Sequence, residues 1–157
     1  MAYVPTAEEL TKALDDVHYE IQQLAFMTVL ESSKIVINNA IVESRLLHVR
    51  NLLDFFEHSP RSNDDVLATH YGFPAEAIAI EEVYKKRLNK DLAHLTYSRT
   101  HRGESDKVWP HEQVIVRVLG RCYTFVEYIL AIRSSYGSRT KDDWQRLLQD
   151  LAKIKGP

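Results

Sequence analysis

The side chains best equipped for chemistry are gathered in RLNKDLAHLTYSR, Arg87 to Arg99: the guanidinium of Arg87, the imidazole of His94, the carboxylate of Asp91, the amide of Asn89 and the phenol of Tyr97. A histidine titrates near neutral pH and can move a proton. A guanidinium matches the oxygens of a phosphate in a planar fork. On a helix turning about 100° per residue, Arg87 and His94 project within about 20° of each other, roughly 100–120° from a core face centred on Leu88. Leu92 and Leu95 complete that face. Asp91 and Ser98 share the Arg87/His94 flank nearer the core, Asn89 and Thr96 take the opposite flank, and Lys86, Lys90 and Tyr97 point outward. The expectation is a polar seam at the edge of a buried face. The plain alternative is an i, i+4 pair of Arg87 with Asp91 on an ordinary bundle helix, with His94 incidental.

A second polar set lies in SRLLHVRNLLDFFEH. His48 falls on a stripe with Ile41, Leu52 and Phe55 and reads as a partly buried core histidine. Arg50 and Asp54 are spaced for a surface ion pair, which contributes little. Asn51 is placed to hydrogen-bond towards the helix that carries Arg87. A third arrangement pairs Asp15 with His18 and Asp91 with His94, each an acid–x–x–His step. Two such steps with further glutamates hold di-iron centres in helical bundles. Here the acids are Asp, and Glu43 and Glu127 have no evident reason to face inward, so no metal and no cofactor are expected.

The elements that position these residues read as long helices. Gly and Pro number five each in 157 residues, and most lie outside the apolar runs, which disfavours many-turned β structure. Thr6, with Glu8 and Glu9 behind it, opens a first helix that the stripe Leu10, Leu14, Val17, Ile21, Leu24 carries to about Ser32. A second, with the stripe Ile35, Val42, Leu46, Val49, Leu53, Phe56, runs to about Ser59, where Pro60 stops it. After a polar break holding one short helical turn, Pro74 suits the first turn of a third helix that ends near Arg99. Pro110 opens a fourth, whose stripe Ile115, Leu119, Cys122, Val126, Ile129 is widened by Val118, Phe125 and Ile132. Thr140 with Asp142 and Asp143 opens a fifth, carrying Trp144, Leu147, Leu148 and Leu151. The expected fold is a single all-α domain over residues 1–157, a four- to five-helix bundle with up-and-down topology.

Charge and cysteine content narrow the function classes. The net charge of −2 argues against general nucleic-acid affinity, yet it hides an asymmetry. Residues 1–73 carry 5 basic and 11 acidic side chains and residues 74–157 carry 15 and 11; Lys85 to Arg102 alone holds six Lys/Arg and one acid. A basic strip of this density attracts phosphate even on an acidic chain, although most charge runs are simply solvated helix faces. The lone Cys122 excludes an intramolecular disulfide framework and lies on a core stripe, where it is no nucleophile. Phosphate-cradling glycine loops and a Gly-x-Ser-x-Gly elbow are absent. No apolar run is long enough to span a membrane, and MAYVPTAEEL lacks a basic region followed by an apolar core. A cytoplasmic protein without a membrane partner is expected.

RLNKDLAH, an arginine and a histidine with six residues between them, resembles the Arg–x(4–6)–His motif of the HEPN superfamily, small all-helical bundles of bacterial conflict systems. HVRNLLDFF together with NKDLAHLTYSR also resembles a set of uncharacterised bacterial helical proteins of similar size. In active HEPN proteins the resemblance implies metal-independent RNA cleavage in a homodimer cleft. His94 would then be the acid/base and Arg87 the phosphate ligand, with Lys90, Tyr97 and Arg99 contacting RNA and Asn89, Asp91, His48 and Asn51 in support. The arginine is followed here by Leu88, where the motif usually has a polar residue. The expectation taken forward is a dimeric interaction or regulatory module of HEPN-like type, a homodimer that binds a partner protein. The RNA-cleaving enzyme is the first alternative and a metal-binding bundle the second.

Overall fold

A computed structural model describes residues 3–57, 64–90, 92 and 111–155. Among these residues the chain is all-α, with helices α1 (Ala7–Thr28), α2 (Ile35–Glu57), α3 (Glu82–Lys90), α4 (His111–Ile132) and α5 (Lys141–Lys155), and a short 3-10 turn at Ala68–Tyr71. Two helices start on reciprocal caps legible in sequence. The Glu9 amide donates to Thr6 Oγ1 at 3.2 Å while the Thr6 amide donates to Glu9 Oε2 at 2.8 Å. Thr140 and Asp143 repeat the arrangement at 3.2 and 2.9 Å. Each box satisfies two amides that a helix start would otherwise leave without acceptors.

The up-and-down course follows from cross-helix contacts. Arg45 reaches the end of α1, whereas His48 reaches back to Glu20, so α2 descends antiparallel to α1. Phe55 and Phe56 pack edge-on to Phe125 at 5.1 and 5.8 Å between ring centroids. Just past the end of α4, Arg133 stacks over Tyr71, whose hydroxyl donates to the Leu10 carbonyl near the start of α1. α4 therefore descends beside α2. At the bottom the Ser138 amide donates to both oxygens of Asp15, and Trp144 stands edge-on to His18 at 5.0 Å. α5 starts there and packs on α4 and α1. One continuous core takes Leu14, Ile21 and Leu24 from α1, Leu46, Val49 and Phe56 from α2, Leu88 from α3, Val118, Cys122 and Phe125 from α4 and Trp144 and Leu151 from α5.

Two boundaries and two burials differ from the sequence reading. α1 ends at Thr28 rather than near Ser32. Ile35, taken as the start of the second stripe, is exposed, as is Ile132 at the end of the fourth. The third helix starts at Glu82, eight residues after Pro74; residues 73–81 run without helical structure over the bundle. There Ile78 is buried and its amide donates to Glu57 Oε1 at 2.7 Å, so tertiary contacts override a strongly helix-forming stretch.

Candidate functional site

The Arg87/His94 seam is only half within view, because Asp91, His94, Tyr97 and Arg99 lie outside the described residues. Arg87 lies deeper than its projection suggested. It is 8% exposed, with its guanidinium 6.0 Å from the Tyr84 ring. A guanidinium that captures a substrate phosphate opens its fork to solvent; in Arg87 the Nε is buried. Asn89 and Lys90 are exposed on α3. Lys85, the first cation of the basic strip, is committed to both carboxylate oxygens of Glu57 at 2.7 and 2.9 Å, which subtracts it from any open positive field.

His48 and Asn51 turn away from α3. His48 Nδ1 lies 2.8 Å from Glu20 Oε2, and the same oxygen accepts from Asn51 Nδ2 at 3.2 Å. The expected bond from Asn51 towards the third helix is replaced by this one to α1. His48 is 6% exposed, edge-on to the half-exposed Tyr19 ring at 6.0 Å. A carboxylate that orients an imidazole is one half of an acid/base device. Here it is also a clasp, fixing α1 to α2 through two side chains on one acceptor.

Asp91 and His94 of the metal reading lie outside the described residues, and its described residues do not converge. Asp15 is occupied by the Ser138 amide, His18 is packed against Trp144, and Glu43 and Glu127 are exposed. Among the described residues no group of three His, Cys, Asp or Glu is placed to hold a metal ion. Cys122 is fully buried, and burial raises its thiol pKa, in keeping with a core role.

The feature left without a structural role is the start of α2. Arg45 draws the two helices together at one level. Its Nε donates to the Met27 carbonyl at 2.8 Å, and Nη2 donates to those of Leu30 at 2.6 Å and Thr28 at 3.3 Å. A cation at a helix C-terminus satisfies terminal carbonyls and complements their partial negative charge. Arg45 thus ties α2 to the end of α1, and the six residues that open α2, about 9 Å of helix, lie clear of the bundle core. Every residue from Ile35 to Ala40 is exposed, with Ile35, Val36 and Ile37 at 75, 77 and 47%. Phe26 and Val29 are exposed at the end of α1, and Leu47 and Tyr19 continue apolar surface down the hairpin. The sequence held this signal in IVINNAIV, eight residues without a charge, but its helical stripe was taken as core from Ile35 onward.

Comparison with family models, with curated proteins and with solved structures finds no match for this chain. Among the described residues no helix is long and apolar enough to cross a membrane.

Proposed function

We propose that this chain is an interaction or regulatory module of HEPN-like type that works as a homodimer, paired through the projecting end of the α1–α2 hairpin. The observation that carries the reading is the free-standing start of α2. Exposed apolar surface on this scale marks interaction sites in soluble proteins. Phe26, Val29, Ile35, Val36, Ile37 and Leu47 are all exposed apolar side chains of this hairpin, and a stable interface takes ~800 Å² from each partner. A second copy fits because the face is neutral over residues 35–42 and bordered by Glu31 and Lys34, which have opposite charges. A two-fold axis makes an interface self-complementary, so each Glu31 would meet a Lys34 across it.

Sedimentation velocity on the wild type and on Val36→Asp tests the reading. The wild type is expected to dimerise and the variant to be monomeric with unchanged helical content; a wild type and a variant of equal, monomeric size refute it. The ribonuclease alternative separates cleanly. It requires cleavage of single-stranded RNA that disappears with His94→Ala, whereas the interaction module keeps its dimer in that variant and cleaves nothing.

A further inference from the structure

Residues 75–90, AEAIAIEEVYKKRLNK, form one uninterrupted helix-favouring run. Ala, Glu, Lys, Arg and Leu dominate it, and Pro74 stands where a helix would begin. No Ser, Thr, Asp, Asn or Gly occurs between Ala75 and Leu88, so local sequence holds no cap to begin a helix at Glu82. The structure nonetheless splits the run. Residues 75–81 are not helical and only Glu82–Lys90 is α3. What separates them is a set of tertiary ties. The Ile78 amide donates to Glu57, and its side chain enters the core. Arg121 of α4 donates to the Pro74 carbonyl at 2.6 Å, pairs with Glu76 at 2.8 Å and lies 4.3 Å from the Phe73 ring centroid.

We propose that residues 75–81 are a two-state strap, non-helical while Glu57 and Arg121 hold it and wound onto the N-terminus of α3 when they release it. Glu57 makes the change concerted, because the same carboxylate holds the strap at Ile78 and α3 at Lys85. Seven residues span up to about 23 Å extended and about 10 Å as a helix. The strap's far end is fixed, since Phe73 packs against Phe56, Phe125 and Tyr128 and the Tyr128 hydroxyl donates to the Tyr71 carbonyl. Winding therefore shortens the strap and draws α3 towards Phe73. That motion breaks the Lys85–Glu57 pair, opens the cavity of about 230 Å³ between α2 and α3, and carries the exposed Asn89 and Lys90 with it. Two packings of one segment, one favoured by local propensity and one by tertiary contacts, make a bistable element. The device uses none of the residues of the hairpin face and stands apart from the dimer.

Backbone Cα chemical shifts of Ala75, Ala77 and Ala79 read the state directly in the full chain. In the wild type they should show no helical displacement from random-coil values. Glu57→Ala, and separately Arg121→Gln, should move them to the helical side and slow amide exchange at residues 78–81. Ala79→Pro added to either should abolish the helical shift at Ala75 and Ala77, because a proline in a helix interior clashes with the carbonyl four residues back. Arg121→Gln leaves Glu57 in place and serves where Glu57→Ala does not fold. Shifts unchanged from wild type in the folded latch variants, or a helical shift at Ala75 and Ala77 that survives Ala79→Pro, overturn the proposal.

Discussion

Arg45→Met is the perturbation that most sharply tests how the hairpin is held. Methionine keeps the apolar stem and a similar reach but removes every donor. The bonds to Leu30 and Met27, at 2.6 and 2.8 Å, are short and charge-assisted, while the 3.3 Å contact to Thr28 adds little. Hydrogen bonds from a charged donor contribute about 1.5–3 kcal/mol each, and a cation at a helix C-terminus about 0.3–1 kcal/mol. Against this, the freed carbonyls are only partly buried and recover water, and methionine gains apolar burial. The net cost is about 2–4 kcal/mol, which in a domain of this size lowers the melting temperature by about 5–15 °C. Thermal melts followed by circular dichroism measure it, with Arg45→Lys expected to fall between, since one ammonium reaches fewer carbonyls. A melting temperature for Arg45→Met equal to that of wild type would show that the end of α1 does not depend on this guanidinium.

Other perturbations probe the opposite end of the bundle. Burial, and after it the charge of Arg139, lowers the His18 pKa below 6.5, against the opposing pull of Asp143 and Asp15. The unfolded chain thus takes up a proton near pH 6.5 and the folded chain only at lower pH. The contribution of His18 to stability is complete above pH 6.5 and declines as the pH falls below it. His18→Phe, which keeps an edge-on contact to Trp144, should flatten that part of the urea-midpoint profile; an identical decline in both proteins would contradict it. Gly137 adopts φ +73° where an added Cβ would come within 2.7 Å of Asp15 Oδ1. Gly137→Ala combines left-handed strain with displacement of the Asp15 carboxylate from the Ser138 amide, and should cost about 2–3 kcal/mol by denaturant titration. A stability unchanged or raised would show that the turn readily rearranges.

Much of the fold was legible because its signals are local. Thr6 with Glu9 and Thr140 with Asp143 mark helix starts within four residues, and the stripe Ile115, Leu119, Cys122, Val126, Ile129 needs no knowledge of its neighbours to read as core. The strap was missed for the converse reason. Residues 75–81 favour a helix locally, and Glu57 and Arg121, far away in sequence, hold them in a non-helical course. Arg45 gave no signal either. An arginine inside a helix looks like surface until the end of α1 is seen to lie beside it. His48 was rightly placed in the interior, yet its partner Glu20 sits 28 residues earlier, beyond the reach of periodicity. Arg87 illustrates a limit of helical projection, which gives angle about an axis but not what packs against that side. Ile35–Ile37 show another limit: an apolar stripe marks a face that needs covering, without saying whether the chain itself or a second copy covers it.

That last ambiguity is decided most directly by the mass of the wild-type protein in solution. Light scattering across a dilution series should give twice the 18.2 kDa of one chain, falling towards 18.2 kDa on dilution, with Val36→Asp at 18.2 kDa throughout. A wild type that stays at 18.2 kDa up to its highest soluble concentration would contradict a dimer built on the α1–α2 hairpin.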